Sequence, residues 1–152
     1  MLKRTAIYLI LNFAALGLGS VFTSEGVISE WYADLDKAPW TPPGWFFGFA
    51  WTTIMIAFAL YMAHAWSKVV NKRGLLILYG IQWILNISWN PIFFYYHQVA
   101  LGLISITLLT LVVGIFLVRY KNQLGVHALW VTPYFVWLLV ATSLNAYILI
   151  QN

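Results

Sequence analysis

The feature that most constrains this chain is a series of five long apolar runs. Each run lacks Asp, Glu, Lys and Arg, and each is close to the ~20 residues that an α-helix needs to cross a bilayer. The runs cover residues 5–24, 45–66, 75–96, 100–118 and 126–150. They predict an all-α membrane protein with one domain, residues 1–152, built as a bundle of five transmembrane helices.

Composition supports a membrane rather than an aqueous environment. Hydrophobic residues make up 62% of the chain and charged residues only 8%, whereas roughly a quarter of the residues in a soluble domain are charged. The net charge of +4 comes from short, scattered segments, so we expect a lipid bilayer and no nucleic acid as partner. The chain has no cysteine, which excludes disulfides and cysteine-based metal sites.

The cations predict the orientation. With five spans, seven of the eight Lys and Arg residues lie on the side of the N-terminus: Lys3, Arg4, Lys68, Lys72, Arg73, Arg119 and Lys121. The other side holds only Lys37. By the positive-inside rule the N-terminus is cytoplasmic and the C-terminus faces outward. The apolar run after Arg4 is too long for the core of a signal peptide, so we interpret it as an uncleaved first helix.

The connection between the first two runs contains a segment that we name the tryptophan loop, residues 31–45. It holds Trp31, Trp40 and Trp45, and all four acidic residues of the chain lie in it or just before it. Loops of this length are uncommon unless they are functional or disordered, and tryptophan argues against disorder. We therefore interpret the loop as a lid over a membrane cavity. Ser29 is predicted to cap a short interfacial helix that runs through Leu35 and is ended by Pro39, and Thr41 is predicted to cap the second span.

Ionisable groups are scarce inside the spans. No ionisable acid or base other than histidine lies inside a span, which argues against a proton-coupled pump, a channel with a charged filter or an intramembrane protease with a carboxylate pair. His64, His97 and His127 lie near different helix ends without the spacing of metal ligands, so we expect no metal site.

Neutral polar and aromatic residues instead recur on single helix faces. Two such faces are Gln82, Asn86 and Asn90 in the third run, just before Pro91, and Tyr134, Trp137, Ala141 and Asn145 in the fifth. Trp51, Trp89 and Trp137 lie one to three turns inside their spans, although membrane tryptophans usually gather at the interfaces. This pattern fits either helix packing or an aromatic-lined pocket for a flat apolar ligand.

Small residues recur at a spacing of four in two of the runs. Ala15 and Gly19 form one such pair, and Thr110 and Gly114 form the other. Such pairs let helices approach closely in lipid. They predict close packing within one bundle or a homodimer seam.

Three motifs resemble the TspO/MBR family, the tryptophan-rich sensory proteins and translocator (peripheral benzodiazepine receptor) proteins. They are Trp31-Tyr32-x-x-Leu35-x-Lys37 with Trp40-x-Pro42-Pro43-x-Trp45, then Leu85-Asn86-x-x-Trp89-x-Pro91-Ile92-Phe93-Phe94, and finally Pro133-Tyr134-x-x-Trp137-x-x-x-Ala141-Thr142-x-Leu144-Asn145. The resemblance covers nearly the whole chain.

The resemblance implies a five-helix bundle, often dimeric, that binds porphyrins, sterols and benzodiazepine-type ligands under its first long loop. The implied binding residues are Trp31, Tyr32, Trp51, Asn86, Trp89, Trp137, Ala141 and Asn145. No cofactor is required, and a porphyrin is the expected ligand. The C-terminal sterol motif of animal members has a basic residue after its tyrosine, and none follows Tyr147 here. A looser sterol-type pattern is Arg4-x-x-x-Tyr8-x-x-Leu11.

The sequence is compatible with three functions. The first is a binding protein for tetrapyrroles and other apolar ligands that acts in sensing, transport or regulation. The second is an enzyme that breaks down protoporphyrin in light, with Trp51 and Trp137 as electron donors. The third is a structural membrane subunit without a ligand. The expected location is a bacterial cell membrane, or the mitochondrial outer membrane if the chain is eukaryotic.

Overall fold

The computed structural model describes residues 1–152 and is entirely helical, without a β-strand. Five helices have 19 or more residues, and two short helices lie in the connections. They are α1 (Leu2–Gly26), α2 (Glu30–Asp34), α3 (Gly44–Lys68), α4 (Lys72–Asn90, continued by a π-helical turn at Pro91–Tyr95), α5 (Val99–Arg119), α6 (Lys121–Leu124, followed by a 3₁₀ segment at Gly125–Val131) and α7 (Thr132–Gln151). The predicted all-α class is confirmed.

Four helical segments are long and apolar enough to cross a membrane: Leu2–Gly26, Gly44–Lys68, Val99–Arg119 and Lys121–Gln151. The third predicted run forms α4, which is as long as a span needs but is not among the four. Its mean hydropathy is lower because it begins with Lys72 and Arg73 and carries three amide side chains, those of Gln82, Asn86 and Asn90.

The C-terminal end of α4 changes helix type at Pro91. Proline lacks a backbone N–H and disturbs the preceding turn, and here the chain winds as a π-helix from Pro91 to Tyr95. The Tyr96 N–H donates to the Pro91 carbonyl at 2.9 Å. The Asn90 side-chain amide also donates to the Asn86 carbonyl at 3.1 Å, just before the change of helix type. The helix thereby continues past the proline and aims Phe93 and Phe94 into the bundle, where both are buried.

Small residues let α1 pack closely on α4. Gly19 and Gly26 are buried, and a Cβ atom on either would collide with the partner helix: with the Asn90 amide at 2.5 Å for Gly19, and with Phe94 for Gly26. The pair Ala15 and Gly19 therefore serves packing within the bundle, one of the two predicted roles.

Buried side-chain amides join the helices of the bundle. Asn12 of α1 donates to the Met55 carbonyl of α3 at 3.0 Å and accepts from the Tyr79 hydroxyl of α4 at 2.7 Å. Gln82 donates to the Tyr134 hydroxyl of α7 at 2.7 Å. Such bonds favour one helix arrangement, because an unpaired polar group in hydrocarbon is costly.

Two predicted helix starts have different outcomes. Ser29 caps α2 as predicted, since its hydroxyl oxygen accepts from the Tyr32 N–H. The prediction for Thr41 is wrong, because α3 begins at Gly44 with Pro43 at the N-cap position. The Thr41 hydroxyl instead donates to the Ala38 carbonyl at 2.6 Å and closes a turn of the tryptophan loop.

Candidate functional site

The predicted binding residues lie in two neighbouring aromatic groups at the end of the bundle that carries the tryptophan loop. The inner group lies between α3 and α7 and contains Trp51, Trp137 and Ala141. The outer group lies among α2, the end of α4 and α7, and contains Trp31, Tyr32, Trp89 and Asn145. Asn86, which is buried, lies on α4 one turn before Trp89. Trp89 packs against the outer group and against the main hydrophobic core, which includes Trp137 and Ala141.

The face of α7 that the sequence predicted forms the wall of the inner group. Tyr134, Trp137, Ala141 and Asn145 are all buried. The Trp137 ring lies 5.7 Å from the Phe46 ring and 5.4 Å from the Phe47 ring, both in the first turn of α3. One turn further along α3, the Trp51 ring meets the Tyr134 ring edge-on at 6.1 Å. The two helices thus face each other through aromatic rings.

The inner group contains a buried indole N–H without a hydrogen-bond partner, that of Trp137. Trp137 is only 6% exposed, yet its Nε1–H has no hydrogen-bond partner. Leaving a buried donor unpaired costs about 1–3 kcal/mol, and buried tryptophan N–H groups usually find an acceptor. This donor is available to an acceptor atom that enters between α3 and α7.

The outer group is organised around Asn145, which is 2% exposed. Its Oδ1 accepts from the Trp89 indole N–H at 3.1 Å, and its Nδ2 donates to the Val99 carbonyl at 3.0 Å. The Trp89 ring stacks on the Phe93 ring with centroids 5.5 Å apart and planes 19° apart. Asn145 therefore fixes the position of a stacked pair of aromatic rings.

The tryptophan loop, whose first residues form most of α2, closes over the outer group. The Trp31 ring stacks on His97 at 4.0 Å, and the Tyr32 ring packs on Phe94 at 5.6 Å. Lys37 Nζ lies 4.6 Å above the Tyr32 ring. Burial raises the pKa of the Tyr32 hydroxyl above its ordinary value. His97 has a φ of 53°, a left-handed conformation that is uncommon outside glycine and is met mainly at turns and functional sites.

The second half of the loop is fastened to α7. The Trp40 indole N–H donates to the Ser143 hydroxyl at 3.1 Å, and its ring meets Tyr147 edge-on at 5.3 Å. The Asp36 N–H donates to the Asn152 side chain at 2.9 Å. The loop therefore runs from the end of α4 to the end of α7 and covers the aromatic groups between them.

The fold adds site residues that the sequence did not single out. Phe46 and Phe47 contact Trp137, and their only signal was a position just inside the second apolar run. His97 stacks on Trp31, and no local pattern indicated this contact. His64 and His127 lie on different connections in sequence, but their rings stack at 4.1 Å at the opposite end of the bundle.

Comparison with known proteins agrees with this architecture. The sequence model of the TspO/MBR family matches residues 6–151. The tryptophan-rich protein TspO of Archaeoglobus fulgidus is 33% identical over 145 residues, which are 94% of this chain and 94% of that protein. Protein CrtK of Rhodobacter capsulatus is 31% identical over 144 residues, 92% of this chain and 87% of CrtK. The translocator protein of Homo sapiens is 32% identical over 136 residues, 84% of this chain and 78% of its own. With three tryptophan-bearing motifs on a helical bundle and a match over almost its entire length, this chain is a membrane protein that belongs to the TspO/MBR family.

Proposed function

We propose that this protein binds tetrapyrroles such as porphyrins, and other apolar ligands such as sterols, in the aromatic groups beneath the tryptophan loop. In this role it acts in sensing, transport or regulation of tetrapyrrole metabolism. The observation that carries the proposal is the buried Trp137 indole N–H without an acceptor. Relatives named translocator protein and tryptophan-rich sensory protein fit such a role.

The chemistry of the site suits a flat ring system. Apolar rings from α3, α4 and α7 offer faces for stacking, and ligand sites typically combine such walls with a few fixed polar groups. The Trp137 N–H supplies one donor for an acceptor atom of the ligand. Lys37 is the one Lys or Arg at this end of the bundle, and it lies beside Tyr32. It is therefore placed to meet an acidic substituent of a porphyrin.

Binding at this position requires the lid to move. Trp137, Ala141 and Asn145 are buried under rings and loop contacts, so a ligand reaches them only after some of these contacts separate. The loop is held by single side-chain contacts with distant parts of the chain, such as Trp31 on His97 and Trp40 on Ser143. The arrangement therefore fits a closed conformation that exchanges with an open one when ligand enters.

The proposal includes a membrane topology. In it all five long helices span the bilayer, the N-terminus is cytoplasmic and the tryptophan loop faces outward, in a bacterial cell membrane. The amides of α4 support its role as a span, because Gln82 and Asn86 are buried within the bundle rather than facing lipid. Reporter fusions at residue 152 and after Lys121 are expected to report opposite sides of the membrane. A cytoplasmic C-terminus would refute this topology.

The binding function is tested by a matched pair of tryptophan substitutions. Trp137→Phe removes the unpaired N–H, so we expect little change in the stability of the free protein but about fivefold weaker porphyrin binding, because one hydrogen bond is worth ~1 kcal/mol. The control is Trp83→Phe, since the Trp83 N–H already donates to the Leu11 carbonyl at 2.9 Å. That variant should lose stability and keep its porphyrin affinity. Both are measured in the dark, from the shift of the porphyrin Soret band in detergent.

If wild type and Trp137→Phe bind porphyrin with equal affinity, the Trp137 indole is not part of the ligand site. If no saturable Soret shift is seen at all, the protein does not bind porphyrin, and the hypothesis of a structural subunit is favoured. The same samples test the light-dependent enzyme. If the Soret band is lost only with light and oxygen, and more slowly in Trp51→Phe, the protein degrades the porphyrin that it binds.

A further inference from the structure

A second site lies at the opposite end of the bundle from the tryptophan loop. There α1, α3 and α4 leave an open groove with a volume of about 400 Å³, within the range of roughly 300–1,000 Å³ of small-molecule sites. Its walls are almost entirely apolar and aromatic. Tyr8 and Leu11 come from α1, Trp66 from α3, and Leu76 and Tyr79 from α4.

Two cations mark one end of this groove. Arg4, in the first turn of α1, is its one charged wall residue. Lys72 begins α4 next to the groove. Its Nζ donates one hydrogen bond to the Val69 carbonyl at 3.2 Å and lies 5.7 Å above the ring of Trp66, which is a wall residue. Positive charge thus approaches the groove from two different helices.

The groove becomes apolar with increasing depth. Leu11 lies seven residues after Arg4 on α1, and Tyr79 lies seven residues after Lys72 on α4. At 1.5 Å per residue, both walls extend about 10 Å from the cations towards the middle of the bundle. Along this length the Tyr8 ring meets the Tyr79 ring edge-on at 5.2 Å and forms the floor. The polarity of the groove therefore runs parallel to the helices, as the polarity of a phospholipid does in a bilayer.

We propose that this groove is a binding site for an anionic phospholipid, with the phosphate between Arg4 and Lys72 and an acyl chain along Tyr8, Leu11 and Leu76. Charge complementarity favours this occupant. Basic residues next to membrane helices attract anionic headgroups, and each contributes about a fivefold preference. A sterol matches the spacing Arg4-x-x-x-Tyr8-x-x-Leu11, but its single neutral hydroxyl leaves the second cation without a partner. The site lies outside the porphyrin pocket and does not depend on it.

The test uses Trp66 as a reporter, because a brominated acyl chain in the groove quenches its fluorescence. The protein is placed in nanodiscs that contain phosphatidylglycerol or phosphatidylcholine with the same brominated chains, and the Trp66 signal is taken as the difference from Trp66→Phe. We expect the Trp66 fluorescence to be half quenched at a mole fraction of brominated phosphatidylglycerol at least fivefold lower than that of brominated phosphatidylcholine. Arg4→Gln should abolish most of this preference. Lys72→Gln provides a second, independent variant that should do the same.

The matched control is Arg119→Gln, which makes the same substitution at the same end of the bundle but outside the groove. It should retain the preference. The proposal is overturned if both lipids quench Trp66 equally, if Arg119→Gln loses as much preference as Arg4→Gln, or if a sterol displaces the brominated phosphatidylglycerol at equal mole fraction. Porphyrin titration of the same variants should be unchanged, which separates this site from the one beneath the loop.

Discussion

Replacing Gly26 with alanine is expected to lower the free energy of unfolding by about 1–3 kcal/mol, the usual cost of overpacking a well-packed site. A Cβ atom at this position would lie 2.5 Å from the Phe94 Cβ and would also overlap its ring. Phe94 is buried, and its ring contacts both Tyr32 and Trp89. Because the Phe94 ring is held by its contacts with Tyr32 and Trp89, we expect α1 and the π-helical turn to move apart.

The control for this prediction is Gly17→Ala on the same helix, where a Cβ atom would meet nothing within 4 Å. That variant should be at least as stable as the wild type, because alanine is the better helix former. Gly19→Ala should fall between the two, since it meets only the end of the Asn90 side chain, which can shift at the cost of its hydrogen bonds with Asn86 and Thr23. Thermal unfolding of the three variants in one detergent gives the order. If Gly26→Ala is as stable as Gly17→Ala, the close contact of α1 with α4 is absent in the membrane.

The second large effect is expected at Ala141, where leucine should weaken porphyrin binding by tenfold or more. Ala141 is 9% exposed and lies one turn from Trp137 on the buried face of α7. A larger side chain there occupies space between the inner and outer aromatic groups that a flat ligand must enter. The added carbons also overpack the free protein, so we expect a stability loss of about 1–3 kcal/mol. Binding is therefore measured well below the unfolding temperature of the variant.

Ala14→Leu is the matched control for this experiment, because Ala14 is exposed on α1 and faces away from both aromatic groups. It should bind porphyrin with the affinity of the wild type. If folded Ala141→Leu binds equally well, the porphyrin occupies a different part of the molecule and the wall formed by α7 is only a packing surface.

Local patterns in the sequence were sufficient to predict the helices and their buried faces. The length and apolarity of the runs predicted the all-α class, since only helices or closed barrels satisfy the backbone in lipid. The spacing of Tyr134, Trp137, Ala141 and Asn145 predicted a buried face of α7, because helical periodicity places such residues together. The cap at Ser29 was predicted from residues within one turn. The start of α3 was not predicted correctly, because the Thr41 hydroxyl closes a turn with Ala38 instead of capping the helix, and Pro43 takes the N-cap position.

The tertiary structure decided which of these faces meet and what remains unpaired. Whether Trp137 finds an acceptor depends on the rotation and depth of α3 relative to α7, and no local pattern contains either quantity. The stacking of Trp31 on His97 joins residues that are 66 positions apart, and it depends on how the chain turns after the π-helical segment. The groove between Arg4 and Lys72 likewise exists only where three helices converge. The sequence by itself determined the helices, their buried faces and the family, because these follow from neighbouring residues. Only the packing of helix against helix, which depends on contacts between distant parts of the chain, decided the contacts of the tryptophan loop, the unpaired indole and the groove.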